Sequence, residues 1–274
     1  MRLLNASRYF DDVLMRDAYT NAPLFKGQAA AYIDSQVDGT ISRRRVISLA
    51  PNLTPPARKV VKYNREVWML GDGVKDSLQG VELRVSYAAK KCDTTFLIQT
   101  PGNACLNTTG VTAYGQADYR KSTVNGPTDS NYDGQYEVHF ASSETVLQGY
   151  VLSSAGRYFH VRGKHTLLEG FVVAEADELD SGPVAVMLTD TGTYDPVTDA
   201  YSGSSVATTG LFLDMYKLYQ YRTAKDPQNE AGDVSLLIAA SATTPVVGQT
   251  VNGAWRIAQV LPQLDAHLCH LRRL

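Results

Sequence analysis

Lys59-Val60-Val61-Lys62-Tyr63-Asn64-Arg65-Glu66-Val67-Trp68-Met69-Leu70 decides the structural class of this chain. Two short runs rich in β-branched and aromatic residues flank Asn64-Arg65, and Asn tolerates the positive φ of a tight hairpin turn. The same order returns in Tyr150-Val151-Leu152 through Gly156-Arg157-Tyr158-Phe159-His160-Val161. It returns again in Gln249-Thr250-Val251-Asn252-Gly253-Ala254-Trp255-Arg256-Ile257, where Asn252-Gly253 is the strongest short-range hairpin signal in the chain. Each time a large aromatic follows the turn, where it can plug the end of a small barrel. The echo is read as a sign of barrel-type architecture, not of gene duplication.

Outward from these hairpins the texture stays the same. Beyond residue 40, turn residues recur every eight to twelve positions between runs of Val, Ile, Leu, Tyr and Thr, the pattern of an all-β protein. Arg45-Val46-Ile47-Ser48-Leu49 stops at Pro51, and Gly71-Asp72-Gly73 is expected to close the run that begins at Glu66. Val81, Leu83, Val85 and Tyr87 alternate on one face of a further strand. Residues 122–135 form a polar loop. Only the start of the chain departs from this pattern. Tyr9, Phe10, Val13 and Leu14 fall at helical spacing behind a candidate cap at Asn5 or Ser7, which predicts a short N-terminal helix or arm ended by Pro23 and Gly27. The expected fold is therefore mainly all-β, with small β-barrels and long loops. A boundary at Ser181-Gly182-Pro183 divides it into a β-rich domain over 1–180 and a barrel over 181–274.

The chain has 274 residues, 44% of them hydrophobic, which is ample for a core, and a net charge of −2, which gives no global attraction to nucleic acid or membrane. The charge is unevenly spread. Residues 1–121 carry 17 Lys and Arg against 11 Asp and Glu, residues 122–210 carry 3 against 12, and residues 211–274 carry 6 against 5. No apolar h-region follows Met1-Arg2-Leu3-Leu4 and no run of eighteen apolar residues occurs, so neither a secretory signal nor a membrane helix is expected. Cys92, Cys105 and Cys269, odd in number and sparse, read as reduced thiols. The glycosylation-like triplets at Asn5, Asn52 and Asn107 are then chance matches.

The sequence carries no complete set of residues for metal, phosphate or nucleophilic chemistry. His267 and Cys269 share a strand face as two zinc ligands would, yet no CxxC or HxxxH supplies the other two. His165 and Glu169 would pair on a helix, but their neighbours read as strand. GxSxG is absent, and Gly71-x-Gly73 lacks the rest of a phosphate loop. Asp190, Asp195 and Asp199 lack the alternation and closing Glu of a calcium loop. No cofactor is expected, and the chain is not read as an enzyme. Arg43-Arg44-Arg45, together with Tyr9 and Phe10, are candidate interface residues.

The last ninety residues carry a resemblance. Thr193-Tyr194-Asp195-Pro196-Val197-Thr198 precedes a polar loop. Gly232-Asp233-Val234-Ser235-Leu236 follows, then Pro245-Val246-Val247-Gly248-Gln249 through Trp255-Arg256-Ile257, then His270-Leu271-Arg272-Arg273. This resembles the small barrel of tailed-bacteriophage head–tail joining proteins, also called head-closure, stopper or neck proteins. Val234-Ser235 stands where that family has a charged residue after its GD pair. The resemblance covers residues 184–274, and residues 41–90 in style only.

It implies a sixfold or twelvefold homo-oligomeric ring in the virion, assembled in the host cytoplasm. The ring's partners would be the portal or adaptor protein, tail proteins and DNA passing without sequence-specific binding, and no membrane. It also implies a channel or plug loop over Thr189–Thr209, about twenty residues carrying Asp190, Tyr194, Asp195, Asp199 and Tyr201, with Ser202-Gly203-Ser204-Ser205 mobile. A tail-completion or tail-terminator protein is the alternative of the same class. A β-barrel sugar-binding module or enzyme is the alternative of another.

Overall fold

The computed structural model describes residues 11–29, 44–49, 54–63, 65–119, 135–190, 192–195, 197, 200–213 and 234–274. They form twenty strands and one five-residue helix. The protein is all-β, built on small barrels.

Three units follow one another. The first comprises β1 (Asp11–Asp17), β2 (Pro23–Ala29), β3 (Arg44–Leu49), β4 (Val60–Tyr63), β5 (Glu66–Leu78) and β6 (Val81–Lys91), a six-stranded sheet in the order β2-β1-β4-β5-β6-β3. The second comprises β7 (Thr94–Gln99), helix α1 (Pro101–Cys105), β8 (Val111–Tyr119), β9 (Gln135–Phe140), β10 (Val151–Ser154), β11 (Arg157–Thr166) and β12 (Val172–Leu179). Its six strands close into a barrel, β10-β11-β12-β9-β8-β7. The third comprises β13 (Val184–Thr189), β14 (Thr193–Asp195), β15 (Ala200–Ser202), β16 (Ser205–Leu213), β17 (Val234–Ala239), β18 (Thr250–Val251), β19 (Trp255–Gln263) and β20 (Ala266–Arg273). It closes as β13-β16-β17-β20-β19-β18, with β14 and β15 as a separate hairpin.

These are three copies of one topology. In each unit the first strand pairs with the second and the fourth, and the third pairs with the sixth. The fourth, fifth and sixth strands are two successive hairpins. In the closed units the second strand also pairs with the third, and that pairing is the one missing from the first unit among the described residues. The echo in the sequence is thus a structural repeat, where an architectural signature alone was expected. Residues 1–180, read from the sequence as one domain, hold two of the three units.

The repeat extends to single hydrogen bonds. Lys59, Tyr150 and Gln249 each precede the fourth strand. Each donates its N–H to the carbonyl three residues back, on Pro56, Leu147 and Val246, at 2.8, 3.1 and 3.2 Å. The carbonyls of Lys59, Tyr150 and Gln249 themselves accept from the fifth strand, from the N–H of Leu70, Val161 and Ile257, at 2.7, 2.9 and 2.9 Å. Beyond that bond lie the inward pairs Val61–Trp68, Leu152–Phe159 and Val251–Trp255. Each lies in or against the core of its own unit.

Local chemistry explains the turns. Ala155-Gly156 and Asn252-Gly253 both hold positive φ at their two central positions, the twist that suits a two-residue hairpin. Gln79-Gly80 does the same at the β5–β6 tip. Strand β17 is apolar except for Ser235, because both of its faces are covered. Leu236 and Ile238 point into the third barrel, while Leu237 and Ala239 pack against the second unit.

Three sequence expectations are corrected. Residues 11–17, part of the expected helix, form strand β1, paired with β2 and with Met15 in the core. Gly71-Asp72-Gly73 does not end its strand. β5 passes through it with a register shift between Leu70 and Gly73 and runs on to Leu78. Thr189–Thr209 is not a loop. Ser205–Thr209 belongs to β16 and pairs with β13, and between them rises the β14–β15 hairpin. Tyr9, Phe10, Arg43, Pro196, Asp199 and most of the 122–135 segment lie outside the described residues.

Candidate functional site: the junctions and the projecting hairpins

The first junction is built around Arg58, which lies just before β4. Its guanidinium forks onto Glu144 of the second unit, Nε to Oε1 at 2.9 Å and Nη2 to Oε2 at 2.6 Å, and Nη2 also donates to the Thr112 carbonyl. The same guanidinium lies 3.6 Å over the Tyr19 ring. Tyr19 donates its hydroxyl to Glu144 Oε1 and accepts the backbone N–H of Tyr114. Burial, the largest effect, raises the Tyr19 hydroxyl pKa far above its ordinary value. Lys59 Nζ reaches Ser142 of the second unit and Asp72 of its own. Buried Lys90 sits 2.8 Å from His139 Nδ1. Beneath these polar contacts Val60, Met69 and Cys92 pack on Ala141 and Phe171.

At the second junction α1 is capped from the third unit. Asp265 accepts the Gly102 N–H at 2.9 Å and the Thr100 hydroxyl. Cys105 donates its thiol to the Leu237 carbonyl. Val151, Leu179, Ala104 and Cys105 pack on Leu211, Leu237, Ala239 and Ala266. Neither junction tolerates a side chain at its closest approach. A Cβ on Gly71 would lie 2.1 Å from the Glu169 carbonyl oxygen, and one on Gly102 would lie 2.5 Å from that of Asp265.

Two hairpins project. In the first unit β5 and β6 pair beyond the reach of β3, whose register stops at Leu49 opposite Val85. Leu78 and Val81 on that extension are more than 60% exposed. In the third unit β14–β15 pairs Tyr194 with Tyr201 and Asp195 with Ala200. Its base is tied to the third unit by hydrogen bonds. Asp190 accepts from Ser204 Oγ and Gln249 Nε2, each at 2.6 Å, which together hold its carboxyl below the usual range. Gly203 is forced, because a Cβ there would lie 2.2 Å from the Asp190 carbonyl oxygen. The sequence missed the β5–β6 arm. Its available signal was a strand pattern running past Gly73.

The remaining candidates are dispersed. Arg44 and Arg45 stand on β3, an edge strand, at register positions opposite Lys90 and Ala89. Cys269 is buried in the third barrel, and His270 pairs instead with Ser235. His165 Nδ1 lies 3.7 Å from Glu175 on the neighbouring strand, not beside Glu169. Among the described residues no three metal-ligating side chains converge. No helix there is long and apolar enough to cross a membrane. An open cleft on the second unit is lined by Ile98, Thr100, Asn103, Thr145 and Tyr150 among others, with hydroxyls and an amide but no carboxylate, histidine or lysine.

Fold and surfaces together define a tandem array of three six-stranded antiparallel units with two projecting arms. Comparison with protein-family profiles, characterised proteins and solved structures returns no match.

Proposed function

We propose that this chain is a structural virion protein of the phage head-to-tail interface, forming a ring beneath the portal that closes the DNA channel and docks the tail. The observation that carries the reading is the tandem of three small six-stranded units, two of them closed barrels, with the β5–β6 hairpin extending from the first and the β14–β15 hairpin from the third. A ring subunit needs rigid bodies and arms that meet neighbours, and heterologous contacts close into rings when the rotation allows. The acidic middle of the chain suits a DNA channel, since a strongly basic lumen would hold the phosphate backbone by counterion release. Tail-completion and tail-terminator roles draw on the same features.

Electron microscopy of the purified chain, with light scattering for mass, is the first test. Rings support the reading, and a persistent monomer overturns it. In phage, replacing residues 192–202 with a two-residue turn should leave DNA-filled heads that leak or fail to join tails. Normal yields of infectious particles would exclude the docking role. The sugar-binding alternative has one local support, Tyr150 beside the hydroxyls of the open cleft. Binding of a glycan panel by a monomer would favour it.

A further inference from the structure

The two internal junctions are the same contact made twice, and the third unit carries its half of that contact with nothing described against it. In the first junction Val60, paired with Met69, faces the next unit, and Cys92 closes the edge by donating its N–H to Val67. In the second, Val151, paired with His160, takes the same place, with Leu179 opposite Tyr158 at the edge. The third unit repeats the backbone pattern. Thr250 pairs with Arg256, and Leu274 donates its N–H to Ala254. There, however, Ala254 is exposed and Leu274 is 60% exposed.

The segment joining the first and second strands completes the grip each time. Ala18-Tyr19 reaches the second unit, and α1 reaches the third. In the third unit that segment is the β14–β15 hairpin. On the receiving side, the turn between the fifth and sixth strands takes part in both junctions. Glu169 and Phe171 serve in the first, and Asp265 and Ala266 in the second. In the first unit that turn is the β5–β6 tip, with Leu78 and Val81 exposed.

We infer that the third unit of one copy docks on the first unit of a second copy, repeating the internal junction, with β14–β15 as its clasp around the β5–β6 arm. The interface is heterologous, so it propagates head to tail and closes only if the rotation permits. Residues 189–209 carry Asp190, Asp195 and Asp199 and no base, whereas residues 11–91 carry 13 Lys and Arg against 9 Asp and Glu, with Lys75 and Arg84 beside Asp76 and Glu82 on the arm itself. Thr250 and Arg256 replace the buried Val60 and Met69, so the contact between copies is wetter and more reversible than those within the chain. The inference rests on the repeat and holds apart from any role on the portal vertex.

Disulfide trapping on the full chain tests it, using Val247→Cys and Leu78→Cys, both on exposed positions. The double variant should give a ladder of dimers, trimers and larger species under oxidation, and each single variant should stay monomeric on the denaturing gel. Ala254→Glu in the double variant should cut the ladder at least tenfold without shifting the thermal midpoint. Dimers from a single variant would show a self-complementary interface and overturn the inference, as would a wild type that stays monomeric at high concentration. A normal ladder from a protein that plays no part in tail joining would remove the proposed function and leave the docking surface standing.

Discussion

Arg58 and Glu144 lie 86 positions apart in sequence and form a forked ion pair across the first junction, with the Glu144 side chain 3% exposed. A carboxylate so deeply buried depends on its partner. Removing one member of a buried pair costs roughly 3–5 kcal/mol, and the one-third exposure of Arg58 lowers that figure. Arg58→Ala is expected to destabilise the first junction by about 2 kcal/mol. Arg58→Ala with Glu144→Gln should recover part of the loss. Urea unfolding of the two variants measures both, and equal losses would refute the pairing argument.

The junction glycines make a second prediction. Gly71→Ala must push the Glu169 carbonyl away, and Gly102→Ala must push that of Asp265, because both obstacles are backbone atoms. Overpacking of this kind costs about 1–3 kcal/mol. Gly80→Ala is the contrast. Its added carbon would meet no atom, and only the φ of +80° opposes it. Thermal melts should rank both junction variants below Gly80→Ala, and a reversed order would contradict the close approach.

How far the sequence revealed this structure depended on whether a pattern was local. The hairpins at 60–70, 151–161 and 250–257 could be read because turn residues and alternation sit side by side. Strand β1 could not, because Val13 and Leu14 fit a helical stripe and only pairing with β2 and β4 decides otherwise. Ser205–Thr209 was hidden for a different reason. Ser205, Val206 and Ala207 are exposed, so no buried face imposes alternation. The repeat was muted because equivalent positions carry different chemistry, as with Met69, His160 and Arg256, while the conserved element is a backbone hydrogen bond at Lys59, Tyr150 and Gln249. Candidate site residues fared worst. Interfaces draw on distant segments, and nothing near Arg58 or Tyr19 in sequence announces Glu144.

The thiols provide a third prediction. Cys92, Cys105 and Cys269 are all buried, and burial pushes each up to about 12, so the thiolate that reacts is scarce at neutral pH. A thiol reagent should titrate none of them in the native protein within minutes and all three in denaturant. Rapid native labelling of Cys105 would mean that the second junction opens readily, since its thiol is held against the Leu237 carbonyl.

His160 sets the pH dependence. It lies on the outer face of β11 at the second junction, 9% exposed, and its Nε2 has no hydrogen-bond partner among the described residues. Burial, helped by the charge of Arg162, lowers its pKa to about 4 from the ordinary 6.5. The folded protein therefore holds a neutral imidazole where the unfolded chain would bind a proton. Between those two values the unfolded state carries more protons, so stability rises with pH across that window. The contribution is complete above about pH 6.5 and is lost as pH falls toward 4, and by linkage it amounts to about 3 kcal/mol at most. His160→Met places the Met69 side chain of the equivalent first-unit position in the same setting. It should flatten the unfolding free energy between pH 4 and 6.5 while leaving the value at pH 7.5 within about 1 kcal/mol of wild type. Urea titrations at stepped pH give the slope directly. A slope unchanged by the substitution would assign the acid sensitivity to other groups and remove His160 from the account.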